Sequence, residues 1–209
     1  FQRAIALTAR FGAGDREESE LRLRIELGGQ LIASYGNGSR RVAENYEKAL
    51  RLLPAVRDPD LAFRAQHGLR TYYMVRGPLR RARRLGESLL HLADRLDNDS
   101  VRLQAHRPHG LTLFAMGQLN DARTHLERAI ALYQPEAQGV QRFEYISDPL
   151  VLARCNLGRT LAFLGDESAA VQQVEQAVHL AESLDHQHSL AFALSLASST
   201  YQALNDRER

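Results

Sequence analysis

Leu126-Glu-Arg-Ala-Ile-Ala-Leu132 is one copy of a phrase that recurs along this chain. Its apolar residues fall on one face of a helix, and its central alanine lets a neighbouring backbone come close. The other copies are Phe1–Leu7, Tyr46–Leu52, Val174–Leu180 and a weaker one at Gly86–Leu92. Recurrence at intervals of about 40 to 48 residues predicts stacked helical hairpins rather than a globule around one centre.

A glycine turn precedes each later copy of the phrase and separates it from an upstream partner helix. Glycine at such a turn supplies a left-handed helix C-cap. The turn glycines are Gly36, Gly77, Gly117 and Gly165. Upstream of the last two turns, Gly110 and Gly158 mark points where two helices are expected to nearly touch.

These signals predict ten helices in one repeat array that covers residues 1–209. The predicted helices are 1–12, 17–35, 39–53, 58–76, 78–97, 99–116, 118–134, 148–164, 166–184 and 186–204. They group into repeats 17–53, 58–97, 99–134 and 148–184, with 1–12 an orphan second helix and 186–204 an orphan first helix. The segment 135–147 is expected to be a packed loop. Pro108 should kink its helix or move the start of that helix towards His106.

Composition argues against several classes of function. With 27 basic and 25 acidic residues the net charge is +2, too small for general attraction to nucleic acid or membranes. One cysteine excludes a disulfide framework, and neither a signal peptide nor a transmembrane run is visible, so a cytoplasmic location is expected. Lys48 is the only lysine, an arginine bias typical of a GC-rich bacterial genome.

The ends of the chain carry a further expectation. The chain begins inside a helix phrase and ends just after an orphan helix, which suggests a piece of a larger protein. Apolar end faces left in this way are expected to favour self-association.

The glycine and alanine spacing resembles the tetratricopeptide repeat. Two repeats match its order of small residues, one at Gly110, Gly117, Ala122 and Ala129 and one at Gly158, Gly165, Ala170 and Ala177. The resemblance implies an all-α, right-handed solenoid of antiparallel helix pairs. The usual repeat has about 34 residues, so helices or connections are longer here.

Four stretches together resemble a narrower group, the C-terminal repeat region of large bacterial signalling ATPases. They are Tyr72–Ala82, Gly110–Gly117, Ser147–Pro149 and His188–Ala193. Many members of that group carry a class III adenylate or guanylate cyclase domain followed by an AAA-like or STAND-type ATPase. The resemblance implies a non-catalytic interaction or sensor module without a cofactor, whose partner is a protein or peptide segment, including its own ATPase or cyclase domains. The alternative is a ligand- or peptide-sensing arm of a STAND-type transcription regulator.

The resemblance also implies a binding groove lined by the first helix of each hairpin. Arginine and aromatic side chains on that wall suit a peptide or an acidic segment. The implied groove residues are Arg64, His67, Thr71, Gln104, Arg107, Leu111, Phe114, Leu152, Arg159 and Phe163.

Other clusters of reactive side chains favour structural roles. Asp185-His-Gln-His188 offers three metal ligands and the pair His106 and His109 offers two, whereas a structural site usually needs four, so both are interpreted as structural. Cys155 stands alone and is interpreted as a packing residue. No pair of a nucleophile and a base is visible in the sequence, so an enzyme is not expected.

Three polar stretches are interpreted in the same way. Gly36–Arg41 lacks the ending of a phosphate loop and is predicted to be a turn. Asp97–Ser100 is predicted to be a turn with an N-cap, since it is too short for a calcium loop. The arginines of segment 80–84 are predicted to form a solvated helix face.

Overall fold

The computed structural model describes residues 1–8, 12, 15–134 and 147–205, and the regular elements in these ranges are all helical. Ten α-helices are present there, as predicted, with one short 3-10 turn at Leu53–Ala55 after the third. The helices are α1 (Gln2–Leu7), α2 (Asp15–Tyr35), α3 (Arg40–Leu52), α4 (Pro59–Arg76), α5 (Leu79–Leu96), α6 (Asp99–Ala115), α7 (Leu119–Ala131), α8 (Pro149–Leu164), α9 (Glu167–Ser183) and α10 (Gln187–Asn205).

The chain divides into two compact units, Phe1–Asp97 with α1 to α5 and Asn98–Arg209 with α6 to α10. Within each unit, helices that follow one another pair in antiparallel fashion. In the second unit, Leu103 near the start of α6 clusters with Ala129 near the end of α7. The organisation of the whole chain as a single repeat array stays a prediction.

The turn glycines adopt the backbone conformation that the sequence predicts. Gly36, Gly77, Gly117 and Gly165 have φ angles of 77°, 99°, 75° and 91°. This left-handed region is strained for residues with a Cβ and open to glycine. The segment Gly36–Arg41 is therefore a helix-ending turn that leads into α3, as predicted.

Close helix contacts occur at the two glycines that the repeat pattern singles out. A Cβ on Gly110 would lie 2.9 Å from Leu126 Cγ of α7. A Cβ on Gly158 would lie 2.6 Å from Val174 Cγ1 and 3.0 Å from the Ala170 carbonyl oxygen of α9. Both glycines are buried, so the prediction that the paired helices nearly touch there is confirmed.

Tyr46 takes this role in the first unit by filling a gap between two other glycines. Its ring occupies the space where a Cβ on Gly28 of α2 or on Gly68 of α4 would stand. The phrase residue at this position is Leu126 or Val174 in the second unit. A bulkier tyrosine therefore requires a glycine on each side, a pairing that the sequence analysis did not find.

Aspartate and asparagine side chains cap the first helix of three hairpins. Asp58, Asn98 and Asp148 each accept hydrogen bonds from two backbone N–H groups in the first turn of α4, α6 and α8. Proline follows Asp58 and Asp148 at the first helical position, where its missing N–H costs nothing. Asp97, with φ of 47°, ends α5 before Asn98, which confirms the predicted turn and N-cap at Asp97–Ser100.

Of the two alternatives predicted for Pro108, a start of α6 near His106 does not occur, and the predicted helix 99–116 agrees with the observed Asp99–Ala115. The Asn98 cap starts the helix at Asp99, and the helix continues through Pro108 to Ala115. Pro108 is buried, and the Thr112 hydroxyl donates a hydrogen bond of 3.0 Å to its carbonyl oxygen. The kink expected at Pro108 stays a prediction.

Two other expectations fall partly outside the described residues. The predicted helix 1–12 is shorter in the structure, since α1 ends at Leu7 with Thr8 as its C-cap, and residues 9–11 lie outside the described ranges. The predicted loop 135–147 also lies outside them, except for Ser147. In the part of the chain that the structure describes, no helix combines the length and apolar character needed to span a bilayer.

Candidate functional site

The predicted groove residues of the first unit lie on α4 and contact other residues of α4 and α2. The Arg64 guanidinium makes an exposed ion pair of 2.8 Å with Glu26 of α2. The His67 ring stacks on Phe63 at 6.2 Å between centroids, and the Thr71 hydroxyl donates to the His67 carbonyl oxygen. The charge of Arg64 is thus already matched by an acid of this chain.

Three predicted groove residues of the second unit meet in space, although Phe114 is far from the other two in sequence. Phe114 at the end of α6 and Phe163 at the end of α8 make an edge-to-face contact with ring centroids 5.5 Å apart. The Arg159 guanidinium carbon lies 4.6 Å from the centroid of the Phe114 ring. We call Phe114, Arg159 and Phe163 the Phe–Arg cluster.

The geometry of the Phe–Arg cluster follows from the parallel course of α6 and α8. Leu103 of α6 packs in one core cluster with Ala153 of α8, near the start of both helices. Because the two helices run in the same direction, their ends also meet, and this brings Phe114 to Phe163. Arg159, one turn before Phe163, then reaches across to the Phe114 ring.

The Phe–Arg cluster combines a half-buried cation with an exposed aromatic ring. Phe163 is 55% exposed, which is high for so large an apolar side chain. Burial lowers the pKa of Arg159 from its usual range, the nearby Cys155 thiol opposes this by a smaller amount, and no carboxylate contributes to the shift. Among the described residues no hydrogen bond or ion pair of Arg159 is found, so its guanidinium contacts an aromatic ring and no carboxylate.

The remaining predicted groove residues differ in how much surface they offer. Gln104 is almost completely buried and gives little surface to a partner. Arg107, Leu111 and Leu152 are each half-buried on the same two helices as the Phe–Arg cluster. Phe163 is therefore the most exposed of the predicted groove residues in this unit.

Three histidines form a cluster between α6 and α7. The sequence analysis named His106 and His109 but not His125. His106 Nδ1 lies 2.9 Å from His125 Nδ1, and the His109 ring meets the His125 ring edge-on at 4.7 Å. Burial lowers the pKa of His125, and the nearby Asp121 carboxylate raises it by a smaller amount. His125 was missed because the residue lies in the next helix, where only the antiparallel pairing brings it to His106.

The histidines of the segment 185–188, considered above as metal ligands, lie within hydrogen-bond distance of serine hydroxyls. His186 Nδ1 and His188 Nδ1 each lie 2.8 Å from a serine hydroxyl oxygen, that of Ser189 and Ser147 respectively. Asp185 adopts a left-handed conformation with φ of 47°, which confirms the predicted turn between α9 and α10. Within the described ranges, no three histidine, cysteine or acidic side chains are grouped in a way that could hold a metal ion.

Cys155 and the arginines of α5 also have the structural surroundings that the sequence predicts. Cys155 is fully buried beside Val151, and burial raises the pKa of its thiol to about 12, so the reactive thiolate is rare at neutral pH. Arg83 forms an exposed ion pair with Glu87, and the Arg81 guanidinium lies 5.5 Å from the Tyr73 ring centroid. These contacts fit a solvated helix face.

Comparison with known proteins identifies the class of repeat. Residues 110–134 and 152–183 each match a model of the tetratricopeptide repeat. The first segment contains α7 and the end of α6. The second contains α9 and most of α8. The chain therefore contains tetratricopeptide repeats in the unit that holds the Phe–Arg cluster.

Solved structures show the same fold. The chain is similar to two crystal structures of a Podosopora anserina protein assigned as a kinesin light chain with nearly identical TPR-like repeats. One, of a substituted form, shares 21% identity at a TM-score of 0.65 and covers 90% of this chain and 88% of that one. The other shares 20% identity at a TM-score of 0.60 and covers 89% and 93%. The predicted fold class, an all-α solenoid of TPR-like helix pairs, is confirmed. A search of curated proteins found no match.

Proposed function

We propose that this chain is a non-catalytic module that binds a protein segment along the wall formed by α6 and α8. Tetratricopeptide repeats generally present surfaces to protein partners, because stacked hairpins create extended faces rather than enclosed pockets. The observation that carries the proposal is the Phe–Arg cluster. It joins an exposed aromatic side chain to an arginine, and these residue types are enriched among binding hot spots.

The proposal is tested by selecting a random-peptide display library on the intact chain. Peptides are expected to be enriched on the chain and to lose most of their binding to Phe163→Asp, since a carboxylate replaces the exposed ring. Val75→Asp is the matched control, because Val75 is 59% exposed on α4 in the other unit. Circular dichroism verifies that both variants keep their helices. Peptides that bind the chain and Phe163→Asp equally well would contradict the proposal.

The biological setting that we propose is a cytoplasmic bacterial signalling protein, in which the module contacts an ATPase or nucleotide cyclase domain. The support is the order of the stretches Tyr72–Ala82, Gly110–Gly117, Ser147–Pro149 and His188–Ala193. Sequencing the encoding gene on both sides of this region tests the setting. A cyclase or ATPase domain is the expected result, and a DNA-binding domain would favour the transcription-regulator alternative instead.

A further inference from the structure

We propose that one tip of the first unit is a docking surface for a membrane rich in anionic phospholipids. We call this surface the basic tip, and it consists of Tyr35, Arg41, Val75, Arg76, Arg80 and Arg81. The inference goes beyond the proposed function, since it concerns the other unit and a different kind of partner. It needs neither the Phe–Arg cluster nor the signalling setting.

The basic tip is assembled at the side of the unit where α2 and α4 end. Leu21 clusters with Leu61 near the starts of these two helices, and Ile32 packs against the cluster of Tyr73 near their ends. The two helices therefore run parallel and end at the same side. Because α3 and α5 follow them through short turns, both begin at that side as well.

The turn before α3 lies against the end of α4. A Cβ on Gly38 would lie 3.2 Å from Val75 Cγ1 and 3.4 Å from Arg76 Cδ. Arg80 and Arg81 follow in the first turn of α5, directly after the turn that ends α4. Val75 and these three arginines are exposed, so the two turns and the side chains beside them form one accessible surface.

The arginines of the basic tip are not matched by carboxylates. None of the four has an ion pair or a hydrogen bond with a residue that the structure describes. The Arg41 guanidinium carbon lies 4.6 Å from the Tyr35 ring centroid, and that of Arg81 lies 5.5 Å from the Tyr73 ring centroid. Contact with a ring attracts each cation but leaves its N–H donors open to the acceptors of another molecule.

Acidic residues are scarce around the basic tip. Segments 35–41 and 75–81 contain none. On α3, Glu44 pairs with Arg40 at 2.9 Å, and Glu47 accepts a hydrogen bond from a tyrosine hydroxyl. In the two turns and α3, the four arginines of the tip thus face only the carboxylate of Glu47. The net charge of +2 for the whole chain does not reveal this local excess.

Arginine doublets at this place are not a requirement of the repeat. Arg40-Arg41 and Arg80-Arg81 stand nine and eight residues before the fourth residue of the recurring phrase. The same two positions hold Asn120-Asp121 in α7 and Ser168-Ala169 in α9. Arginine in the first turn of a helix is also unfavourable, because the helix dipole is positive there. The doublets therefore suit an anionic partner better than they suit the fold.

A membrane fits the basic tip better than a nucleic acid or an acidic protein segment. Arginines near a bilayer are attracted to anionic headgroups, and a tyrosine suits the boundary between headgroups and acyl chains. Tyr35 and Val75 are 53% and 59% exposed beside the arginines. Apolar area at both residues leaves water when the tip enters the headgroup layer, whereas phosphates and carboxylates alone offer an exposed valine nothing.

Sedimentation of the intact chain with large unilamellar vesicles tests the inference. In about 0.1 M salt the chain should bind vesicles of equal parts phosphatidylcholine and phosphatidylglycerol, and it should not bind vesicles of phosphatidylcholine alone. Arg41→Gln combined with Arg81→Gln should weaken partitioning about fivefold for each arginine, the factor that one basic side chain contributes near an anionic surface. Tyr35→Ser should weaken it as well, since it removes apolar area without changing the charge.

Arg51→Gln combined with Arg95→Gln is the matched control. Arg51 and Arg95 are exposed in the last turns of α3 and α5, so this pair removes the same charge from the opposite ends of the same two helices. It should leave partitioning nearly unchanged. Circular dichroism verifies that all variants keep their helices.

The inference is overturned if the wild-type chain binds both kinds of vesicle equally or binds neither, a comparison that needs no variant. It is also overturned if the two double variants behave alike, or if Tyr35→Ser binds as tightly as the wild type. A single-stranded oligonucleotide and a polyglutamate peptide serve as further probes. Binding of either that depends on Arg41 and Arg81, without binding of anionic vesicles, would assign the tip to that partner instead.

Discussion

Gly158 sets the distance between α8 and α9 through the side chain that it lacks. A Cβ there would lie 2.6 Å from Val174 Cγ1 and 3.0 Å from a main-chain oxygen that cannot rotate away. We expect Gly158→Ala to lower the free energy of unfolding by about 1–3 kcal/mol, because relieving the overlap forces the two helices apart. Urea denaturation followed by circular dichroism measures the change.

Gly29→Ala is the control for that substitution. Gly29 lies in α2 with no atom within 4 Å of the position of its missing Cβ. Alanine should therefore raise the free energy of unfolding by about 0.5–1 kcal/mol through its better helix propensity. If both substitutions stabilise the protein, the close approach at Gly158 is not what keeps the helix spacing.

The contact between His106 and His125 makes the stability of the second unit depend on pH. One Nδ1 must donate a proton and the other must accept it, so protonation of both rings breaks the contact. Burial lowers the pKa of His125 below its usual 6.5, despite the opposing effect of Asp121. The unfolded chain then binds more protons than the folded one, and stability falls as the pH drops below 6.5 through the folded-state pKa.

Urea denaturation at about pH 7.5 and about pH 5.0 tests this dependence. We expect His125→Gln to lose less stability than the wild type between the two conditions, since glutamine does not titrate. His179→Gln is the matched control, because His179 is an exposed histidine of α9 whose side chain is 81% accessible. An equal loss in wild type and His125→Gln would show that other groups cause the pH dependence.

At the scale of the element, Asp148 makes hydrogen bonds at the start of α8 in addition to those of the cap itself. Its Oδ1 accepts from the N–H groups of Leu150 and Val151, and its Oδ2 accepts from the Tyr133 hydroxyl at 3.0 Å. Its own N–H donates to the Ser189 hydroxyl at the start of α10. One buried aspartate therefore ties α8 to the end of α7 and to α10.

We expect Asp148→Ala to lower the free energy of unfolding by about 2–3 kcal/mol, because it removes the cap and also the hydrogen bond from the Tyr133 hydroxyl. Thermal and urea denaturation measure the loss. Asp58→Ala is the comparison, since Asp58 caps α4 with the same Asp-Pro sequence at a more exposed position. It should cost about 1 kcal/mol. Equal losses would mean that the contacts of Asp148 beyond the cap contribute little.

At the scale of the whole molecule, the outer face of α10 is a candidate for contact with a second copy. Leu194 and Tyr201, which are seven residues apart and therefore lie on one side of the helix, are 52% and 40% exposed, and the helix carries no acidic residue, lysine or arginine. An uncharged, partly apolar helix face of this kind favours association. We expect the sedimentation coefficient to rise with protein concentration.

The double substitution Leu194→Glu with Tyr201→Glu should abolish that rise. Val75→Glu is the control, because Val75 is 59% exposed but lies on α4. If the control abolishes the rise as well, association is general and does not depend on α10. A sedimentation coefficient that is independent of concentration in the wild type would rule out the contact altogether.

The fold was largely predictable from the sequence because its signals are local and repeated. A turn glycine such as Gly165, a cap such as Asn98 and an alanine such as Ala177 each specify one helix end or one contact. For Pro108 the sequence left open a kink or a later helix start, and the structure excludes the later start because the Asn98 cap begins the helix at Asp99.

The candidate site was only partly predictable. The resemblance to a repeat family placed Phe114, Arg159 and Phe163 on a common wall, but it could not show that they touch or that Gln104 is buried. It also could not pair His125 with His106, or Tyr46 with Gly28 and Gly68. These contacts join residues on different helices, so they depend on the direction and offset of packing.

The sequence by itself determined where helices begin and end and which of their faces are apolar, because caps, turn glycines and periodicity act within a few residues. Only the tertiary structure decided which side chains became partners. The parallel course of α6 and α8 brings the half-buried Arg159 onto the Phe114 ring beside an exposed Phe163, with no carboxylate partner in the part of the chain that the structure describes. Whether an arginine lies beside a carboxylate or an aromatic ring depends on how the helices pack, and the periodicity of a single helix carries no information about that.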